Sequence, residues 1–269
     1  MKRTLRIALG QINTVLGDIS HNIEKMRAFI EEAICLDADI IALPELAVTG
    51  YPPEDLLLNL QFVEDSVNGI KTLSRYCKDI IVVAGFVDFR DDNFNAAAVI
   101  TSGHIIDIYH KIHLPNYSVF DEERYFSAGC RIPVYRARDF SFGVNICEDM
   151  WYPYGPTYLQ AINSAELIIN INASPFHTGK YEFKQKMLCT RANDASSYIA
   201  YVNLVGGQDE LVFDGGSMVI DPEGNIVGSA ERFKEDLLVV DLNLDNVIAK
   251  RLKDPRSRKT KIIDNFQKV

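Results

Sequence analysis

Short apolar strands alternate with helical stretches along the chain, and this alternation constrains the fold more than any other feature. The run 80–87, Ile-Ile-Val-Val-Ala-Gly-Phe-Val, predicts a strand buried on both faces. Residues 19–36 carry apolar side chains three and four positions apart, which predicts a helix with one apolar stripe. The other predicted elements are strands 5–12, 39–43, 94–101, 104–111, 139–147, 166–172 and 198–205, helices 62–77, 156–164 and 181–196, and the strand-and-turn segment 212–241. This intermixing predicts a layered α/β domain.

Composition excludes several classes of protein. The 269 residues suffice for a sizeable core, and because no segment has a linker composition we expect one domain over 1–269. The net charge of −9 disfavours nucleic acid and anionic membranes as partners, and no apolar run approaches the roughly 20 residues that span a bilayer. The five cysteines show no C-x-x-C spacing, so we expect a reducing, cytoplasmic location. The basic stretch 250–261 is expected to be an exposed tail or the start of a connection.

Three polar residues share one placement, at the ends of predicted strands. Glu45 follows Ile-Ile-Ala-Leu-Pro, Lys111 ends strand 104–111, and Cys147 ends strand 139–147. Binding sites form at the carboxyl ends of strands in α/β sheets. A thiol needs a base to become a good nucleophile, so Glu45 could accept its proton while Lys111 stabilises developing negative charge. Each residue alone has an ordinary explanation in core packing or a solvated turn, and only the joint placement favours a nucleophilic site.

Four separated motifs carry a resemblance to a known family. They are Ala42-Leu-Pro-Glu-Leu46, Gly50-Tyr-Pro-Pro-Glu-Asp-Leu56, His110-Lys-Ile-His-Leu-Pro115 and Asn145-Ile-Cys-Glu-Asp-Met-Trp151. Together they resemble the nitrilase superfamily, whose Glu-Lys-Cys triad hydrolyses carbon–nitrogen bonds other than peptide bonds. The runs 50–56, 114–122 and 147–151 are most similar to the glutaminase domain of glutamine-dependent NAD synthetases. The resemblance implies a four-layer α-β-β-α sandwich and a homo-oligomer.

The resemblance also implies catalytic roles. By match to the family motifs, Cys147 is the nucleophile, Glu45 the general base and Lys111 the electrostatic stabiliser. Glu122 resembles the second glutamate of the superfamily, which would hold Lys111 or the hydrolytic water. The acidic neighbour Glu123 leaves the register of this match open.

Further positions match those that bind the amino-acid end of glutamine in the family. Tyr117, Glu148 and Ser174 are implied as substrate-binding residues. Lys180 falls where relatives place an arginine against the carboxylate, and a lysine is a point charge that cannot make the forked pair. Tyr51 is expected to wall the pocket.

The implied reaction is glutamine hydrolysis to ammonia and glutamate through a cysteine thioester, with the ammonia supplied to NAD synthesis. The hydrolase would need no cofactor. ATP and Mg would enter only with a synthetase domain, and because a Ser-Gly-Gly-x-Asp-Ser phosphate loop is missing from the sequence, such a domain was either removed or acts on another chain.

Two other functions stay open. The first is a stand-alone amidase or carbamoylase of the same superfamily acting on another small amide. The second is a catalytically silent interaction module, against which the intact set of Glu45, Lys111 and Cys147 argues. A metal site is not expected, because His110 and His113, three apart on a strand, would point to opposite faces.

Overall fold

Two six-stranded mixed sheets form the centre of the protein in the computed structural model, which describes residues 3–137 and 139–255. In spatial order, the strands of the first sheet are β14 (Asp236–Asn243), β1 (Thr4–Gln11), β2 (Ile40–Ala42), β3 (Ile81–Phe89), β4 (Asn93–Thr101) and β5 (His104–His110). Those of the second sheet are β13 (Ile226–Ser229), β12 (Met218–Ile220), β9 (Tyr198–Asn203), β8 (Leu167–Asn172), β7 (Phe140–Ile146) and β6 (Val134–Ala137). A separate hairpin consists of β10 (Val205–Gln208) and β11 (Leu211–Asp214).

Helices α1 (Ile19–Cys35) and α2 (Leu60–Ser74) cover the outer face of the first sheet, and α3 (Pro156–Ile162) and α4 (Lys180–Ala195) cover that of the second. Helix α5 (Asp245–Lys253) follows β14, and its Val247 packs into the core between the sheets. The Asp18 carboxylate caps α1 by accepting a hydrogen bond from His21 N at 3.0 Å. Because Ile23, Met26 and Ile30 are spaced three and four apart, α1 buries one stripe against the first sheet. Within the described ranges, no helix has the length and apolar character needed to cross a membrane.

The two sheets pack face to face, and their inner side chains form one continuous core. Alternate residues of β1 (Leu5, Ile7, Leu9) meet alternate residues of β7 and β8 in this core. The opposite faces of the sheets pack on α1 and α2 at one side and on α3 and α4 at the other. The expected four-layer α-β-β-α sandwich is therefore confirmed.

Two strand boundaries differ from the sequence prediction in a way that concerns the candidate site. Strand β5 ends at His110 and β7 at Ile146, so Lys111 and Cys147 lie just beyond the strands rather than within them. Helix α2 ends at Ser74 instead of residue 77, and the predicted strand 198–205 breaks after Asn203. Of the basic stretch, residues 250–253 form the last turn of α5 instead of a tail, 254 and 255 follow the helix, and 256–261 lie outside the described residues.

Candidate active site

Glu45 is placed by the end of β2 and is completely buried. Strand β2 runs parallel to β1 and β3, so its carboxyl end opens at the edge of the sheet where sites form in such folds. The backbone N–H of Ala173, just after β8 in the second sheet, donates to Oε2 of Glu45 at 2.8 Å. This hydrogen bond joins the two sheets at the carboxylate and fixes its orientation.

Lys111 follows β5 directly, and its ammonium lies between two carboxylates. Its Nζ donates to Oε1 of Glu45 at 2.7 Å and to Oε1 of Glu122 at 2.8 Å. The side chain is fully buried. Burial disfavours the charge, but the carboxylates of Glu122 and Glu45 outweigh it and raise the pKa of Lys111 well above its ordinary value. Lys111 is therefore a fixed cation.

Glu122 lies in a short 3-10 turn, Glu122–Arg124, and is buried, whereas Glu123 is exposed. The Tyr51 hydroxyl donates to its Oε1 at 3.1 Å. Asn95 on β4 donates from Nδ2 to Glu45 at 2.8 Å and to Glu122 at 3.4 Å, so it bridges the two carboxylates. Burial raises the pKa of Glu122 to about 7, with Lys111 opposing the rise and Glu45 adding to it.

Cys147 lies at a sharp turn between β7 and a short 3-10 helix, Cys147–Met150. Its φ of +43° falls in the left-handed region, where a side chain other than glycine is strained, and such residues cluster at functional sites. The thiol is 5% exposed. Burial raises its pKa well above the ordinary value, Glu45 adds to the rise, and Lys111 opposes it. The thiol thus shares the electrostatic environment of Glu45 and Lys111.

Asp149 ties the Cys147 turn to the segment after Lys111. Its buried carboxylate accepts hydrogen bonds from Ile146 N at 3.1 Å and from His113 N at 2.9 Å. It also accepts one from the Tyr109 hydroxyl at 2.7 Å. Asp149 therefore connects the ends of β7 and β5.

A pocket of about 700 Å³ opens above Cys147. The four other residues predicted to bind substrate all line it, namely Tyr117, Glu148, Ser174 and Lys180. The Tyr117 hydroxyl donates to Glu148, with O–O distances of 3.0 and 2.9 Å to the two carboxylate oxygens. The wall thus carries both a carboxylate and an ammonium.

Tyr51 differs from the expectation that it walls this pocket. Its ring is 5% exposed and packs edge-on against Phe213, with the ring centroids 6.1 Å apart. Its hydroxyl points to Glu122, because the polar atom of a buried tyrosine needs a partner. Tyr51 therefore lies behind the carboxylates and supports them.

The histidines considered as metal ligands have other contacts. His110 Nε2 lies 2.8 Å from Asp88 Oδ2, and its ring stacks on Phe94. His113 stacks on Tyr152 with ring centroids 4.0 Å apart. In the part of the chain that the structure describes, no cluster of three or more His, Cys, Asp or Glu residues could hold a metal ion.

Asn95 and Asp149 are site residues that reasoning from the sequence missed. Asn95 is a buried amide that directly precedes the apolar run 96–100 of β4. Because buried polar side chains are normally hydrogen-bonded, an amide next to such a buried run is a signal for a polar partner. Asp149 stands two residues after Cys147, but the sequence gives no sign of its backbone partners.

A four-layer α-β-β-α fold with glutamate, lysine and cysteine at neighbouring strand ends is the arrangement that the sequence resemblance implies for a carbon–nitrogen hydrolase. The family model described as carbon-nitrogen hydrolase matches residues 6–252. The chain belongs to this family, the nitrilase superfamily, and is a carbon–nitrogen hydrolase.

Several relatives of this chain are glutamine-dependent NAD(+) synthetases. The chain is 46% identical over 256 residues to that of Aquifex aeolicus and 42% identical over 261 residues to that of Thermotoga maritima. These alignments cover 94% and 96% of this chain but 45% of each relative, so the chain spans less than half the length of the curated relatives it matches.

Solved structures of two kinds share the fold. The glutamine-dependent NAD+ synthetase of Acinetobacter baumannii matches with a TM-score of 0.87 at 37% identity, covering 91% of this chain and 47% of that one. An amidase from Nesterenkonia sp. AN1 matches with a TM-score of 0.82 at 24% identity, covering 96% and 99% of the two chains, and at this identity the match shows the fold alone.

Proposed function

We propose that this chain is a glutamine amidohydrolase, a single domain over 1–269 that releases ammonia and glutamate through a thioester on Cys147. The observation that carries the proposal is the pocket above Cys147, which is lined by the Glu148 carboxylate and the Lys180 ammonium. An amino acid carries both charges, so the pocket complements a free amino-acid amide. The relatives at 46% and 42% identity, named for their dependence on glutamine, support the same substrate.

The first half of the reaction forms the thioester. Burial raises the pKa of the Cys147 thiol, so the thiol needs a base, and Glu45 removes its proton as the sulfur attacks the side-chain amide carbon. The amide oxygen becomes an oxyanion, stabilised by Lys111 and by the backbone N–H of Glu148. The carbon–nitrogen bond then breaks, and ammonia leaves with the proton that Glu45 had taken.

The second half releases glutamate. Glu45, free of its proton again, accepts one from a water molecule that attacks the thioester carbon. The carbon–sulfur bond breaks, the proton returns to Cys147, and glutamate leaves. Throughout both halves, Glu122 holds Lys111 through the 2.8 Å hydrogen bond to its ammonium.

The proposal extends to the partners of the reaction. We propose that the ammonia serves a synthetase domain or chain, which would use ATP and Mg for glutamine-dependent NAD synthesis, whereas the hydrolase steps use neither. A homo-oligomer is also proposed. Sedimentation of the purified protein at several concentrations tests this, and a monomer at all of them would contradict it.

The experiment for this function is labelling with the glutamine-mimicking diazo ketone 6-diazo-5-oxo-L-norleucine, with the adduct mapped by peptide mass spectrometry. We expect one adduct on Cys147, blocked by excess glutamine, and glutamate release from glutamine but not from other small amides. The exposed Cys35 and Cys130 are internal controls, since a neutral alkylating reagent labels them whereas the diazo ketone leaves them unmodified.

Other outcomes separate the remaining functions. If a general thiol reagent labels Cys147 and the diazo ketone does not, the substrate is another amide, as for a stand-alone amidase or carbamoylase. If Cys147 resists both reagents, the site is catalytically silent.

A further inference from the structure

Lys184 lies one helical turn beyond Lys180 on α4, and its ammonium is buried without a hydrogen-bond partner among the described residues. The side chain is 1% exposed, and Nζ lies 3.5 Å from Oδ1 of Asp214. Residues four apart on a helix share a face, so Lys184 and the pocket-lining Lys180 lie on the same side of α4. Buried polar groups are normally hydrogen-bonded, so a buried ammonium that has an ion-pair contact at 3.5 Å but no hydrogen bond requires an explanation.

Two more buried polar atoms beside Lys184 make no hydrogen bond within the described ranges, namely Oδ1 of Asp214 and the hydroxyl of Tyr201. The Lys184 ammonium lies 5.5 Å from the centroid of the Tyr201 ring. The other Asp214 oxygen accepts from Nε and Nη2 of Arg232 at 3.1 and 3.0 Å. One carboxylate is therefore shared by two cations, and the cluster of Lys184, Asp214 and Arg232 carries a net positive charge.

This cluster adjoins the substrate pocket, because Lys184 and Asp214 lie on two elements that also line it, α4 and β11. Leu211 and Val212 line the pocket from β11, and Asp214 ends the same strand. Burial lowers the pKa of Lys184, while Asp214 opposes this lowering. A buried ion pair of this kind contributes little to stability compared with apolar side chains of similar size. The cluster therefore calls for a role other than stability.

The chemistry of Lys180 indicates that role. An arginine would bind a carboxylate through two parallel hydrogen bonds, whereas a lysine provides a single point charge. A second positive charge nearby strengthens the attraction, and the charge of Lys184 is poorly screened because its side chain is buried. We propose that Lys184 is a specificity-determining residue, whose buried charge combines with that of Lys180 to make the pocket select amides that carry a carboxylate. This inference rests on the proposed function, in which that amide is glutamine.

The test measures protection of Cys147 from alkylation by iodoacetamide, which reports binding without needing turnover. The protectants are L-glutamine and 4-aminobutanamide, which is glutamine without its carboxylate. In the wild type we expect glutamine to protect at a lower concentration. In Lys184→Met, the half-protecting concentration of glutamine should rise roughly tenfold relative to that of 4-aminobutanamide, because one charge–charge attraction is lost. Lys184→Arg should retain the wild-type preference.

Lys186→Met is the matched control, because it removes the same charge from an exposed position of α4 and should leave the preference unchanged. An unchanged ratio in Lys184→Met, or equal weakening of both protectants, means a structural role and overturns the inference. Failure of glutamine to protect the wild type also overturns it. If the ratio shifts as expected while glutamine is bound but never hydrolysed, the inference stands and the proposed function fails.

Discussion

Gly85 on β3 offers a test of how accurately Glu45 must be placed. A Cβ added at this position would lie 2.3 Å from Pro44 O and 2.4 Å from Leu46 N. These atoms are backbone and cannot rotate away, and the φ of Gly85 is not in the left-handed region. The substitution Gly85→Ala therefore acts by displacement alone, on the backbone segment that carries Glu45.

The displacement can be worked out from these distances. Carbon–oxygen contacts of a Cβ begin at about 3.0 to 3.4 Å, so the Pro44–Leu46 backbone must move by roughly 0.7 to 1.1 Å. Overpacking of this kind costs about 1 to 3 kcal/mol of stability. A misplacement of about 1 Å costs on the order of a hundredfold in rate, and we expect that loss in kcat for glutamine hydrolysis.

The assay is steady-state glutamate release, with circular dichroism and denaturant unfolding to show that the variant is folded. Gly207→Ala is the matched control, because Gly207 is exposed and its Cβ would meet only Leu211 O, at 3.4 Å. A folded Gly85→Ala variant with near-normal kcat would refute the reasoning, since it would show that Glu45 tolerates displacement or takes no part in the reaction.

Three further predictions concern the buried charges. Lys111→Ala should keep the circular dichroism spectrum of the wild type and lose on the order of a hundredfold to a thousandfold in turnover, because it removes a donor that stabilises the oxyanion. A folded variant with near-normal turnover would contradict this role. The pKa of Glu122 is about 7, above its ordinary 4.5, so the carboxyl group binds its proton more tightly in the native state than in the unfolded state. The free energy of unfolding should therefore fall by on the order of 2 kcal/mol as the pH rises from 5 to 7. Glu122→Gln should remove this contribution, and equal pH slopes for wild type and variant in urea titrations would disprove it. Asp149→Asn replaces one carboxylate oxygen with an NH2 group, which cannot accept hydrogen bonds from the backbone N–H groups of Ile146 and His113. We expect the free energy of unfolding to fall by about 1.5 to 3 kcal/mol and kcat to fall as well. An unchanged urea midpoint would count against this role.

The helices and strands that make up the layers were predictable from the spacing of apolar residues, because each element buries a stripe or face that this spacing indicates. The apolar stripe of α1, which includes Ile23 and Met26, and the continuous apolar run of β3 are examples. The facing of the two sheets is different. The alternation of Leu5 and Ile7 predicts one buried strand face, but it does not indicate whether that face packs on β7 and β8 or on a helix. The four-layer sandwich was predicted only from the resemblance to a family.

The candidate site shows the same division. Glu45, Lys111 and Cys147 follow strands, so the rule that sites form at strand ends was enough to bring them together. Glu122 follows no strand, and its burial depends on the path of the loop after Lys111, which local sequence does not encode. The position of Tyr51 was predicted wrongly for a related reason, because the sequence does not say whether an aromatic side chain faces a pocket or lies behind it. In the structure the buried hydroxyl of Tyr51 needs a hydrogen-bond partner, which it finds in Glu122 behind the pocket.

The buried charges explain why this edge of the fold differs from an ordinary core. Lys111, Glu45 and Glu122 form a fully buried group, and replacing such a group with apolar side chains is often neutral or stabilising. The strained φ of Cys147 opposes stability as well. The buried charges and Cys147 lie together at neighbouring strand ends beneath one pocket, while the core between the sheets is apolar. Stability alone therefore gives no reason for this arrangement, whereas the proposed role of Cys147, a nucleophile that loses and regains a proton beside a fixed cation, does give one.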